Sequence, residues 1–328
     1  MFNIALFGAG RIGKVHAVNI NSHEETNLYS VIDPYLEGAK AISEAYDAKV
    51  QTIDEAMKDP NVHGVCIGSA TDTHAELTIL AAQNGKAIFC EKPIDLSLER
   101  VRECLAVVNE CKVPMLVGFN RRFDPQFRKV RDQLNAGVIG KAESLLITSR
   151  DPSPPPAEYS EVSGGMFRDM TVHDLDMARF IIGEKPVSIY ANGSCVVDPA
   201  IGEAGDIDTA VIIIEFESGA TATIINSRRS GYGYDQRMEL HGEKGLLKAN
   251  NMLENLVENW GENGCTSEKP HPFFLERYEA AYVAEWSHFA DVLAGRCEVS
   301  CGGYDGEYAL VLAEAALKSL KTGTKIAL

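Results

Sequence analysis

Four side chains in this sequence have the types and spacing for proton chemistry at a hydroxyl. The stretch GGMFRDMTVHDLDMARF, residues 164–180, places Asp169 four residues before His173 and Asp176 three residues after it. On a helix that spacing sets carboxylate, imidazole and carboxylate on one face. An aspartate one turn from a histidine holds the ring in one orientation and raises its basicity, which suits a general base near neutral pH. The plain alternative is a buried Asp–His pair tying a helix to a sheet. A metal site would use the same three residues, but no second His or Glu motif accompanies them, so no metal is expected. The fourth side chain is Lys92. Glu91-Lys92-Pro93 follows directly on the apolar run AIFC, which suits a cation near a substrate hydroxyl or a member of a proton relay. Read alone, Lys92 is equally a solvated lysine at a strand end.

These residues need elements that hold them. Met170, Leu175, Met177, Ala178, Phe180 and Ile181 predict a helix over 166–182, with Gly164-Gly165 before it and Gly183 closing it. Lys92 belongs to a different pattern. NIALF, residues 3–7, meets Gly8-Ala9-Gly10-Arg11-Ile12-Gly13, and a helical pattern follows: strand, glycine turn, helix. Such glycines allow a tight turn and close approach to a pyrophosphate, and the helix N-terminus offers unpaired N–H groups to it. The next strand, LYSVID, ends at Asp33, whose carboxylate accepts both ribose hydroxyls and repels a 2'-phosphate, so NAD is favoured over NADP. Helices then alternate with the strands VHGVCIGS, KAIFCEK and PMLVGF. That alternation implies a doubly wound parallel sheet over residues 1–120. Ligands gather at the carboxyl ends of such strands, which marks Gly8, Gly10, Arg11, Ile12, Gly13, Asp33, Ser69, Thr71, His74, Glu91 and Lys92 as cofactor contacts.

After Phe119 the pattern changes. NRRFDPQFRKVRDQL predicts a helix after Pro125, and AESLLITSR, PVSIYANGSCVV, IDTAVIIIEFESG, ATATIINSR, QRMELHGEKG and LLKANN predict strands joined by short turns. Residues 121–328 thus read as an α+β domain with a largely antiparallel sheet. TAVIIIEF keeps apolar residues on both faces, so the second face is expected to pack on another subunit.

Composition narrows the partners. In 328 residues, 31 Lys and Arg stand against 47 Asp and Glu, a formal charge of −16 that repels phosphate backbones and anionic membranes. The N-terminal run is too short for a membrane span and lacks the basic lead of a signal peptide, so a cytoplasmic address is expected. Eight cysteines lie scattered without a CxxC pair and read as reduced thiols.

GAGRIGKVHA, CEKP, GFNRRFDP, SGGMFRDMTVHDLDMARF and YGYD, in that order and across most of the chain, resemble the glucose-fructose oxidoreductase / inositol dehydrogenase (Gfo/Idh/MocA) family. RRFDP, SRDPSPPP and HDLDMARF are similar to its inositol-oxidising members. The resemblance implies a Rossmann domain followed by an open-faced sheet domain, a homotetramer built through those sheets, and a site between the domains. It implies NAD-dependent oxidation of a ring hydroxyl of myo-inositol to the ketone. Lys92, Asp169 and His173 are then the catalytic set: His173 takes the hydroxyl proton, Asp169 supports it and Lys92 hydrogen-bonds the reacting oxygen. Arg121, Asp176 and Tyr234 match polyol-contacting positions, with Arg122, Asp151, Tyr278 and Tyr282 as weaker matches. Another cyclic polyol or aldose, such as scyllo-inositol or glucose, is the alternative substrate. A dinucleotide-sensing regulator is the alternative class, but a sensor needs none of the three catalytic residues.

Overall fold

The computed structural model describes the backbone of all 328 residues and the side chains of all but Ala157 and Glu161. The chain divides into two compact units, residues 1–120 with 281–310, and residues 121–280 with 311–328. A single cut after residue 120 therefore misses one feature: residues 281–310 return to the first unit.

In the first unit, β1 (Phe2–Phe7), β2 (Thr26–Ile32), β3 (Lys49–Val50), β4 (Gly64–Ile67), β5 (Ala87–Glu91) and β6 (Met115–Gly118) form one sheet in the order β3-β2-β1-β4-β5-β6. Every pairing is parallel. The central strands are short continuous apolar runs, and β4, β5 and β6 are buried throughout, as a sheet covered on both faces requires. The connecting helices are α1 (Arg11–Ser22), α2 (Leu36–Tyr46), α3 (Ile53–Lys58), α4 (His74–Gln83) and α5 (Leu98–Cys111).

The second unit begins with α6 (Pro125–Asn135), whose first turn is capped by the Asp124 carboxylate with proline at N1. Then follow β7 (Ala142–Arg150), α7 (Ala157–Ser163), a single π-helical turn (Phe167–Thr171), α8 (Val172–Ile182), β8 (Pro186–Ser194) and α9 (Pro199–Glu203). The strands β9 (Thr209–Phe216), β10 (Thr221–Ser227), β11 (Asp235–Gly242) and β12 (Gly245–Ala249) lead to the exposed hairpin β13 (Glu258–Gly261) and β14 (Gly264–Ser267). The chain ends with α10 (Phe274–Arg277), α11 (Glu279–Leu293), α12 (Gly303–Thr322) and β15 (Ile326–Ala327). Seven strands make the second sheet, in the order β12-β11-β7-β10-β9-β8-β15. All its pairings are antiparallel except β7 with β10. Ile147, Ile212, Ile214 and Ile224 point to the buried face, where α8 packs on β7 and β10. On the opposite face Leu146, Tyr190, Val211 and Ile213 are exposed.

Residues 281–310 join the first unit because α11 is apolar where it meets that sheet. Trp286 and Phe289 pack on Phe89 of β5, and the Trp286 indole N–H donates to Thr26 Oγ1 at 3.0 Å. Among the described residues no helix is long and apolar enough to cross a membrane.

Candidate active site

In the first unit the glycine loop shows three glycines with different tasks. Gly8 has φ +105°, and a Cβ there would lie 2.4 Å from the Gly68 carbonyl oxygen. A Cβ on Gly13 would lie 2.0 Å from the Gly8 carbonyl oxygen, so helix α1 touches the turn at this point. A Cβ on Gly10 meets nothing within 4 Å. Gly10 is the N-cap of α1 and supplies no side-chain cap, the usual start of a helix whose N-terminus receives an anion. Asp33 closes β2 beside this loop. Its Oδ2 accepts the Ala9 N–H at 2.6 Å and its Oδ1 accepts the Tyr35 N–H at 2.7 Å. A helix N-terminus without a side-chain cap, a glycine facing open space and a carboxylate fixed beside the loop fit a dinucleotide.

The other strand ends are tied together by buried polar groups. His74 is 2% exposed, and its ring nitrogens lie 2.8 Å from the Pro93 carbonyl and 3.1 Å from the Ser69 carbonyl. It joins the loop after β4 to the loop after β5. Ser69 Oγ also meets Thr73 Oγ1 at 2.6 Å, in the short turn that starts at Thr71. Glu91, the last residue of β5, meets His16 Nε2 of α1 at 2.7 Å, and Lys92 follows it, half-buried. Tyr282 packs edge-on against the His16 ring.

In the second unit, Asp169 sits in the π turn and His173 in the first turn of α8. The expected helix over 166–182 is present with a π turn in its first half, and its entry is pinned. Gly164 and Gly165 both have φ +80°, and Asp206 accepts the Met166 N–H with both oxygens at 3.1 Å. A Cβ on Gly165 would lie 2.8 Å from Asp206 Oδ1. Arg228, 5% exposed, bridges two carboxylates: it donates to Asp169 Oδ2 at 3.0 Å and to Asp151 Oδ2 at 3.2 Å. The Tyr159 hydroxyl donates to Asp169 Oδ1 at 3.3 Å. Burial pushes the Asp151 carboxyl above its ordinary range, against the pull of Arg228.

The remaining charges of this stretch belong to a deeper layer. Arg121 donates to Asp174 Oδ1 at 2.5 Å, and Asn226 donates to Asp174 Oδ2 at 2.8 Å. Arg121 also reaches the Tyr234 hydroxyl at 3.4 Å. Ser149, Asn226 and Gln236 are cross-strand neighbours on β7, β10 and β11, and Tyr278 donates to Gln236 Oε1 at 3.1 Å. Burial raises the Tyr234 phenol well above its ordinary value and pushes Tyr278 up to about 12, so both stay protonated donors. Asp176 is 1% exposed, and Arg122 takes both its oxygens at 2.7 and 2.5 Å. Asp174 and Asp176 therefore answer two buried arginines, while Asp169 answers Arg228. Sequence reading named neither Arg228 nor Asp174 for the site. The adjacent Arg121-Arg122 and the D-x-D of 174–176 were the available signal for the second.

Residues 2–119 match a family described as an oxidoreductase family with an NAD-binding Rossmann fold, and residues 127–248 match the GFO/IDH/MocA C-terminal domain. The chain belongs to the Gfo/Idh/MocA family. It is 48% identical over 323 residues to inositol 2-dehydrogenase of Rhizobium meliloti, covering 98% of both chains. It is 43% identical over 320 residues to myo-inositol 2-dehydrogenase of Thermotoga maritima, covering 97% of this chain and 96% of that one. The structure of myo-inositol dehydrogenase from Corynebacterium glutamicum superposes with a TM-score of 0.97 at 42% identity, covering 100% of this chain and 99% of that chain. Scyllo-inositol dehydrogenase from Lactobacillus casei, crystallised with NAD(H) and scyllo-inositol, gives a TM-score of 0.92 at 25% identity, covering 100% of this chain and 99% of the other. Residues 2–119 of the first unit form an NAD-binding Rossmann fold, and NAD is the cofactor.

Proposed function

We propose that this protein is an inositol 2-dehydrogenase, an NAD-dependent enzyme that oxidises a ring hydroxyl of myo-inositol to the ketone. The observation that carries the reading is His173, half-buried in the first turn of α8, with Asp169 one turn earlier held in place by Arg228. Relatives at 48% and 43% identity are named as inositol dehydrogenases. When bound, NAD supplies the hydride acceptor at nicotinamide C4.

The chain's own residues supply the rest. A secondary alcohol ionises far above neutral pH, so hydride loss needs a proton acceptor, and a positioned base contributes about 10²- to 10⁴-fold. His173 takes the hydroxyl proton. Asp169, charge-paired by Arg228, holds the imidazole in the productive orientation, and Lys92 donates a hydrogen bond to the reacting oxygen. Tyr234 and Arg121 read the neighbouring hydroxyls as donors. A site built to bond each hydroxyl rejects analogues that leave a buried polar group unpaired. Asp176 acts one layer back, by fixing Arg122. The open helix N-terminus of α1 and Gly10 receive the pyrophosphate, and Asp33 receives the ribose.

Two further roles belong to this reading. The exposed apolar row of Leu146, Tyr190, Val211 and Ile213 is the face through which copies of the chain assemble into a homotetramer. Sedimentation of Val211→Lys/Ile213→Lys as smaller species would support that assignment, and an unchanged assembly would remove it. Epimers separate the substrates, since a 35% identical relative is named scyllo-inositol 2-dehydrogenase (NAD(+)). Initial rates with NAD over myo-inositol, scyllo-inositol and glucose decide. The highest kcat/KM belongs to myo-inositol, and negligible turnover of it beside strong turnover of another polyol discards the assignment.

A further inference from the structure

Three buried polar groups of the first unit have no assigned part in the proton transfer: His16 on α1, Glu91 ending β5, and Glu285 on α11. Glu285 is 0% exposed, and neither of its carboxyl oxygens has a hydrogen-bond partner among the described residues. His16 Nδ1 is buried without a partner as well, while its Nε2 is held 2.7 Å from Glu91. The three groups converge. Tyr282, one turn before Glu285, and Trp286, directly after it, meet the His16 ring with centroids at 6.1 and 6.5 Å. The charge that reaches Glu285 is that of Glu91, and the Cys66 thiol on β4 feels both carboxyls. No cation is hydrogen-bonded to Glu285 among the described residues. An ionised carboxylate there would be a second, unpaired negative charge in a dry core, which burial strongly opposes.

We propose that Glu285 is a neutral carboxylic acid which, through one enclosed water, hydrogen-bonds the Glu91 carboxylate, and that it is thereby a positioning residue for the strand end carrying Lys92. Water fits because the acid and the carboxylate offer the two polar partners that an enclosed water needs as a minimum. The arrangement also ties α1, the helix behind the glycine loop, to the residue preceding Lys92. Burial first, and then the charge of Glu91, push the Glu285 carboxyl well above the carboxylate range. The positioning role rests on the reading of Lys92 above. The protonation state does not.

The test compares the full-length protein with Glu285→Gln, a neutral acid mimic, and Glu285→Leu, which cannot hydrogen-bond. Infrared spectra at neutral pH are expected to show a carboxylic-acid carbonyl band that Glu285→Gln removes. With myo-inositol and NAD, Glu285→Gln keeps kcat within about twofold, whereas Glu285→Leu lowers it about tenfold at unchanged NAD affinity. Absence of that band, or its persistence in Glu285→Gln, overturns the neutral acid. A Gln variant as slow as Leu, or a Leu variant as fast as the parent, overturns the positioning role. Because the infrared band needs no turnover, failure of the dehydrogenase reading and failure of the neutral acid are seen separately.

Discussion

Replacing Gly10 by alanine separates a glycine needed for the fold from one needed for the ligand. Its backbone lies at φ −73° and ψ −162°, open to any residue, and the added methyl meets nothing within 4 Å. Loss of chain entropy in the unfolded state then makes Gly10→Ala neutral to stabilising, by up to ~0.5 kcal/mol. The same methyl occupies the space into which α1 opens toward a pyrophosphate. NAD affinity is expected to fall at least about tenfold, which is ~1.4 kcal/mol. Gly13→Ala is the opposite case. Its methyl would stand 2.0 Å from the Gly8 carbonyl oxygen and 2.8 Å from the Gly8 carbonyl carbon, so backbone must move. Overpacking of that kind costs about 1–3 kcal/mol before any ligand binds. Thermal melts of the ligand-free proteins with calorimetric NAD titrations read both quantities. Wild-type NAD affinity in Gly10→Ala, or a melting-temperature loss as large as that of Gly13→Ala, would refute the reasoning.

Asp33→Ser is expected to raise the KM for NAD and lower that for NADP, read from initial rates; a parent enzyme that already prefers NADP contradicts the role of this carboxylate. Arg228→Gln leaves the Asp151 and Asp169 carboxylates, 19% and 17% exposed at their side chains, without their shared cation. It should lower stability by about 1–3 kcal/mol in urea unfolding and kcat by more than it changes KM; unaltered kcat would detach Arg228 from the site. For Glu285 the sign of the pH effect is fixed. A carboxyl raised above its ordinary 4.5 in the folded state favours the protonated form, so stability is full at low pH and falls as pH climbs from 4.5 through the raised value. Glu285→Gln should flatten that decline in pH-dependent melts, and an equal slope in both proteins would contradict it.

Much of this was legible locally. The glycine turn, Asp33 and the strand before Glu91-Lys92 were readable because each rests on a backbone constraint within a few residues. The alternation of strands and helices gave the parallel sheet for the same reason. What stayed hidden is long-range. Arg228 meets Asp169 across 59 positions, and Arg122 meets Asp176 across 54, so the charges of 164–180 read as one substrate-facing set when the fold divides them between layers. The π turn at 167–171, which follows the Met166 N–H held by Asp206, leaves no mark in the hydrophobic period. That residues 281–310 belong to the first unit is invisible to a linear reading, because no turn signal marks their return and the contacts that bring them back, such as Trp286 on Phe89, span nearly 200 positions. A lone Glu285 within the apolar AAYVAEWSHFADVL was the visible clue that this helix carries a buried acid.

Turnover of His173→Gln with myo-inositol, measured beside its NAD dissociation constant, tests the central claim most directly. With the base removed, kcat is expected to fall by about 10²-fold or more while NAD binding stays within about twofold of the parent. A variant that oxidises myo-inositol at the parent rate would contradict it.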